Sequence, residues 1–209
     1  MPPNIIPVNY NGHHPDRDLT GLKVAIVHFW LVNYRGGEKV LDALLEMFPQ
    51  SDIFTHVYDP KRVSKTIREK NVQTTFIQKL PFARSRYQLY LPLMPLALEQ
   101  LDLSGYDLVI SSESGPAKGV LVPPETPHIC YCHSPMRYVW DQYHAYRKSA
   151  GGMKRLAMYF LMSSLRQWDV TSASRIDRII ANSNAEPKRI HRYWRPDHRV
   201  TAPVAMSPF

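Results

Sequence analysis

Lys23-Val24-Ala25-Ile26-Val27-His28-Phe29, followed closely by Tyr34-Arg35-Gly36-Gly37-Glu38-Lys39-Val40-Leu41, is the stretch on which the fold turns. The first run is continuously apolar, as expected of a parallel strand covered on both faces. After the glycine pair, Val40, Leu41, Leu44, Leu45 and Phe48 recur at spacings of a helix face, and Pro49 marks the end of that helix. Strand, glycine pair and helix is the order in which α/β proteins bring bare backbone amides at a helix N-terminus up to an anion. Glu38 and Lys39 in the first turn would orient such a loop. Taken alone, the pair also fits a tight turn. A dinucleotide fingerprint needs Gly-x-Gly-x-x-Gly, and an adjacent pair disfavours NAD.

Outward from this unit the alternation continues. Residues 52–58, 74–77, 107–112, 119–122, 127–132 and 178–182 read as strands, with a charged segment at 60–70 between the first two. Prolines divide residues 79–95 into short helical pieces with a basic front and an apolar back. After Gly151-Gly152, the residues Met153, Leu156, Ala157, Phe160, Leu161, Leu165 and Trp168 keep a helical stripe, and 184–194 reads as a basic helix with Pro187 in its first turn. Such alternation predicts an α/β fold, a doubly wound and mostly parallel sheet with helices on both faces. The division expected is a disordered leader at 1–22, one domain over 23–199 and the start of a connector at 200–209.

The 209 residues suffice for one core. Lys and Arg number 26 against 18 Asp and Glu, a net charge of +8 that favours an anionic partner: a phosphorylated substrate, an anionic membrane or nucleic acid. No helix-turn-helix, finger or RNA-binding signature accompanies the charge, which argues against nucleic acid. Cys130 and Cys132, two apart on a strand, face the same side and read as reduced core residues of a cytoplasmic protein. No second Cys or His cluster supports a metal site. The leader lacks a signal pattern, and no window has the length and apolarity of a membrane span.

A second dense cluster, His133-Ser134-Pro135-Met136-Arg137-Tyr138-Val139-Trp140-Asp141, follows the strand at 127–132. At the carboxyl end of a strand in an open sheet, His133 stands where ligands sit. Imidazole can donate to a sugar hydroxyl or a developing charge, Arg137 can pair with phosphate, and Tyr138 and Trp140 can stack on a sugar face. With the glycine pair, the cluster points to a sugar-nucleotide enzyme. Glu38 and Glu46 lie on one helix about 80° apart around its axis, and Glu46 reads as a solvated residue. Lys79, Arg84 and Arg86, with Phe82, Tyr87 and Leu91, fit either an anionic bilayer surface or a surface hairpin packed on the domain.

Four motifs in order, residues 35–41, 91–97, 133–141 and 181–184 with Lys188-Arg189-Ile190, resemble the N-terminal half of family 4 glycosyltransferases. The branch resembled transfers mannose or related sugars in bacterial polysaccharide and O-antigen assembly. The resemblance implies a Rossmann-like domain that is the acceptor-side half of a GT-B architecture. It implies a retaining glycosyltransferase without metal or cofactor, using a nucleotide-sugar and a glycan or lipid-linked acceptor. Gly36, Gly37, Glu38 and Lys39 would face the donor phosphates and His133 the donor sugar. Arg137, Tyr138, Trp140, Asp141, Ser183 and Asn184 would bind substrate. The reduced cysteines fit the cytoplasm, and the basic, apolar segment fits peripheral contact with the inner face of the membrane. The resemblance implies that the donor-binding half is absent from this chain and supplied by a longer frame or a separate chain. Alone, such a half is expected to be nearly inert. The alternative reading is a non-catalytic module that binds an anionic or lipid-linked glycan.

Overall fold

A computed structural model describes residues 21–149, 151–195 and 200–201. The expected leader, apart from Gly21 and Leu22, and all but two residues of the expected connector lie outside the described residues. Seven strands form one sheet: β1 (Val24–His28), β2 (Asp52–Thr55), β3 (Val72–Thr74), β4 (Leu108–Glu113), β5 (His128–Cys132), β6 (Arg178–Ala181) and β7 (Val200–Thr201). Their order is β3-β2-β1-β4-β5-β6-β7, and every neighbouring pair is parallel. The order reverses between β1 and β4, which opens a crevice at the carboxyl ends of those strands. This is the single Rossmann-like α/β domain that the alternating pattern predicts.

Side chains on β1 divide between the two faces. Val24 and Ile26 pack with Leu41, Leu45 and Phe48 of the first helix, α1 (Gly36–Met47), and with Ile67 of α2 (Lys65–Arg68). Ala25 and Val27 pack on the other face with Phe54, Leu103, Val109 and Val120. All five residues of β1 are buried, so the continuous apolar run follows from cover on both sides. Burying Leu41 and Leu45 contributes about 1.5–3 kcal/mol each, more than the roughly 1 kcal/mol by which a helical glycine is disfavoured. The helix therefore forms despite opening on two glycines.

Between β3 and β4 run α3 (Ala83–Arg86), a 3₁₀ helix at Tyr87–Leu93 and α4 (Met94–Glu99), the short pieces that the prolines predict. Ala83, Ala97 and Ile77 pack inward with Val32 and Val57. Phe82, Leu89, Leu93 and Leu96 remain exposed on the outer side. After β5 come α5 (Tyr143–Ser149) and α6 (Gly152–Ala173), and α7 (Glu186–Tyr193) follows β6 with its proline in the first turn. Cys130 and Cys132 are free, buried and in one cluster with Ile190 and Trp194.

Several local expectations are corrected. Residues 119–122 are not a strand. The amides of Ala117 and Lys118 instead donate to the Glu113 carboxylate at 2.9 and 2.8 Å, and Gly119 lies so close to Trp168 that a Cβ would fall 2.0 Å from its ring. Residues 74–77 leave the sheet after Thr74, because Thr75 caps a 3₁₀ turn at Phe76–Lys79. The stripe read on α6 holds only toward its end: Leu165 is buried and Trp168 partly buried, whereas Leu156, Phe160 and Leu161 are exposed, and Met158, Asp169 and Ser172 are buried instead. The buried face carries Asp169, whose partners Lys118, Trp140 and Trp194 lie on other elements, and Ser172, whose hydroxyl donates to the Asp169 carbonyl one turn back; a count of apolar spacing misses both. Besides these corrections, Val200 and Thr201 pair with β6 as the last strand.

Candidate active-site cleft

Parallel strands put all their carboxyl ends on one edge, and there a cleft of about 740 Å³ opens. Its floor comes from the residues that leave the strands: Phe29 after β1, Ser114 after β4, His133 after β5 and Asn182 after β6. Arg35, Gly36, Gly37 and Glu38 bring the N-terminus of α1 to the same space. The outer walls are more apolar, with Tyr87 and Leu91 on one side and Tyr146, Met158 and Met162 on the other.

At the start of α1 the amides of Gly36 and Gly37 have no acceptor within the helix, and the helix dipole favours an anion there. A Cβ on Gly36 would meet nothing within 4 Å, so that face of the turn is open. A Cβ on Gly37 would sit 3.4 Å from Phe29 and 3.6 Å from His28. Glu38 turns inward, where its Oε2 accepts from the Arg35 amide at 2.7 Å. Burial raises the Glu38 carboxyl, but His28 and the amides of Arg35 and Glu38 together outweigh it and hold it below its ordinary value.

Behind the floor runs a line of polar side chains across three elements. Glu38 Oε1 lies 3.9 Å from His28 Nε2, an approach too long for a hydrogen bond. His28 Nδ1 lies 3.0 Å from Ser112 Oγ, and Ser112 Oγ lies 2.9 Å from His133 Nε2. Burial, with help from His28, pushes His133 down to about 4, and burial lowers His28 against the pull of Glu38. Both imidazoles are therefore neutral near pH 7. His133 offers the cleft a directed hydrogen-bonding nitrogen and no positive charge.

Of the residues expected to bind substrate, Arg137 and Tyr138 line the cleft, while Trp140, Asp141, Ser183 and Asn184 do not. Trp140 stacks on Tyr193 at 4.7 Å, and its indole donates to buried Asp169. Asp141 lies between Arg137 and Arg189 at 3.6 and 3.4 Å. Ser183 and Asn184 fall in the turn before α7, one and two residues past the lining Asn182. Lys39 is exposed on α1 outside the cleft, and Glu46 is exposed farther along. Lys79, Arg84 and Arg86 are exposed on the segment whose Tyr87 and Leu91 form one wall. Reading from the sequence missed Asn33, Arg35, Ser114 and Asn182 as lining residues and Ser112 as the partner of His133. Asn182 stood within a quoted motif, and the strand-end positions of Ser112 and Ser114 were the available signal.

Under the floor, Lys118 pairs with Asp169 and with Glu113, 3.5 Å away, all three fully buried. Burial pushes Glu113 up to about 7, against the pull of Lys118 and with the push of Asp169. The Lys118 ammonium, which burial lowers, is raised overall by Asp169 and Glu113. Trp140 and Trp194 both donate to Asp169 Oδ2 at 2.7 Å. The cluster ties β4, α6 and α7 together beneath the cleft. Among the described residues, no group of three or more His, Cys, Asp or Glu is placed to hold a metal ion. None of their helices is long and apolar enough to cross a membrane.

Fold and cleft together define a Rossmann-like α/β domain with an open helix N-terminus beside a neutral histidine. The chain belongs to glycosyltransferase family 4, whose family model matches residues 34–202. No curated protein matches it. Among solved structures, the crystal structure of Anabaena Alr3699/HepE in complex with UDP-glucose is similar at a TM-score of 0.47 and 13% identity, over 87% of this chain and 43% of that one. The chain thus spans less than half the length of that structure.

Proposed function

We propose that this domain is the acceptor-side half of a retaining glycosyltransferase that moves a mannose-like sugar from a nucleotide-sugar to a glycan or lipid-linked acceptor. The observation that carries the reading is that the open first turn of α1 and the neutral His133 line one cleft. The amides of Gly36 and Gly37 would meet the donor diphosphate, whose charge grows as the glycosidic bond breaks. His133 would meet the sugar, and Arg137 and Tyr138 would contact substrate beside it. The acceptor would enter along the apolar walls.

Stabilising a leaving diphosphate is the largest demand of such a reaction, and one missing donor costs roughly 10²–10³ in rate. The cationic side chains lining the cleft among the described residues are Arg35 and Arg137, and Arg137 is already paired with Asp141. The 209-residue chain is therefore expected to transfer little sugar until a donor-binding partner or half completes the site. Purified chain would be assayed with radiolabelled UDP- and GDP-hexoses and a lipid-linked glycan. Robust transfer by the chain alone would overturn the inactive-half part of the proposal.

A second reading has its own observation. Phe82 is 72% exposed and Leu89 63% exposed beside the exposed Lys79, Arg84 and Arg86, on the segment that walls the cleft. Such a surface fits peripheral contact with an anionic bilayer on the cytoplasmic side, from which a lipid-linked acceptor would reach the cleft. In its non-catalytic form, the module would hold that glycan without transferring sugar.

A further inference from the structure

We infer that Glu38, His28 and Ser112 fix His133 as the tautomer protonated on Nε2, so that its Nδ1 presents a bare lone pair to the cleft and selects a ligand hydroxyl over a phosphate oxygen. The inference about the ring rests on geometry within this chain. Its ligand half rests on the sugar-transfer reading and deepens it.

The argument starts from Glu38. Its carboxylate lies 3.9 Å from His28 Nε2, a buried nitrogen without a hydrogen-bond partner. A neutral imidazole carries one N–H. Directing that N–H at the carboxylate is favourable, and directing a lone pair at it is not. His28 therefore holds its proton on Nε2 and accepts at Nδ1. The neighbour of Nδ1 at 3.0 Å is Ser112 Oγ, so the serine must donate to it. A hydroxyl has one hydrogen. Having given it to His28, Ser112 can only accept from its other neighbour, His133 Nε2 at 2.9 Å. That places the proton of His133 on Nε2.

Nδ1 of His133 makes no hydrogen bond among the described residues, and His133 lines the cleft. A bare ring nitrogen attracts a hydroxyl hydrogen and repels the lone pairs of a phosphate oxygen. The cleft then has two chemically distinct ends, donors at the first turn of α1 and an acceptor at His133. A phosphorylated sugar would be oriented by the difference. This reverses the donor role expected for His133 from its sequence context. Ser112 is a positioning residue here, acting on the ligand only through His133.

Long-range proton–nitrogen correlation spectra of the ¹⁵N-histidine-labelled 209-residue chain, with His133 assigned by His133→Asn and His28 by His28→Asn, would test this without ligand. The expected spectrum shows both rings protonated on Nε2. Ser112→Ala is expected to shift the His133 nitrogens toward a mixture of tautomers, and Ser112→Thr to restore the single form. A His133 protonated on Nδ1 in the unaltered chain, or a pattern unmoved by Ser112→Ala, would overturn the inference. UDP-glucose or GDP-mannose is expected to shift Nδ1, whereas pyrophosphate alone leaves it in place. A pyrophosphate shift at Nδ1 would overturn the selectivity. Failure of both nucleotide-sugars to move a correctly protonated ring would count against the ligand half and the sugar-transfer reading, not against the tautomer.

Discussion

Trp140 gives its indole N–H to Asp169 at 2.7 Å, from the cluster after β5 to the C-terminal part of α6. Asp169 also meets Lys118, so the motif beside the cleft is anchored to a fully buried charge. Removing one partner of a buried pair is strongly destabilising, at about 3–5 kcal/mol. Asp169→Ala is expected to lower unfolding stability by that order. Trp140→Phe, which removes one donor and keeps the ring, is expected to cost about 1–3 kcal/mol. Urea denaturation checks both. An unchanged midpoint in both variants would contradict the anchoring role.

Gly36→Ala separates the helix from its ligand. A methyl there meets open space, and alanine is the better helix former, so stability should be unchanged or slightly raised. The same methyl would stand between the first-turn amides and an anion. Affinity for a nucleotide-hexose is expected to fall at least about tenfold, or about 1.4 kcal/mol. Calorimetric titration beside a thermal melt reads both effects.

Acid should weaken the fold well above the carboxylate range. Burial pushes His56, His128 and His133 down to about 4 from 6.5. The unfolded chain therefore binds these protons first, so their stabilisation is complete above pH 6.5 and is lost as pH falls toward 4, at about 1.36 kcal/mol per unit for each. Glu113, raised to about 7, acts in the opposite sense between 4.5 and 7. One opposing proton against three leaves a net loss toward acid. Denaturation at pH 7.5 and 5 should show the lower stability at 5, and His56→Asn should flatten the slope by about one proton.

Much of this was legible in the sequence, and the remainder has a physical reason. The strand before the glycine pair and α1 could be read because cover on both faces makes β1 apolar throughout and one-sided cover makes α1 periodic. His133 could be placed because a strand exit in a parallel sheet is a ligand edge. The bond from Trp140 to Asp169 could not be read, because the two are distant in sequence and the aromatic ring gives no sign of its partner. The partnership of His28, Ser112 and His133 depends on the register of β1 against β4 and on the turn leaving β5, which composition does not encode. The polar part of the buried face of α6 has the same origin: Asp169 is held there by Lys118, Trp140 and Trp194, all distant in sequence.

The basic and apolar segment has a separate test. Arg84→Glu with Arg86→Glu should reduce sedimentation with phosphatidylglycerol-rich vesicles by about 2 kcal/mol or more, roughly 1 kcal/mol for each charge removed from near the surface. Binding to neutral phosphatidylcholine vesicles should stay weak throughout. Equal binding to both vesicle types would contradict the bilayer reading.

The central claim is that the first turn of α1 and His133 form one site for a nucleotide-sugar. Titrating the ¹⁵N-labelled chain with UDP-glucose and GDP-mannose, while following the amides of Gly36 and Gly37 together with the His133 ring, tests it most directly. The account expects one of the two ligands to move all three along a single saturating curve. Movement confined to other surfaces, or none with either ligand at millimolar concentration, would contradict it.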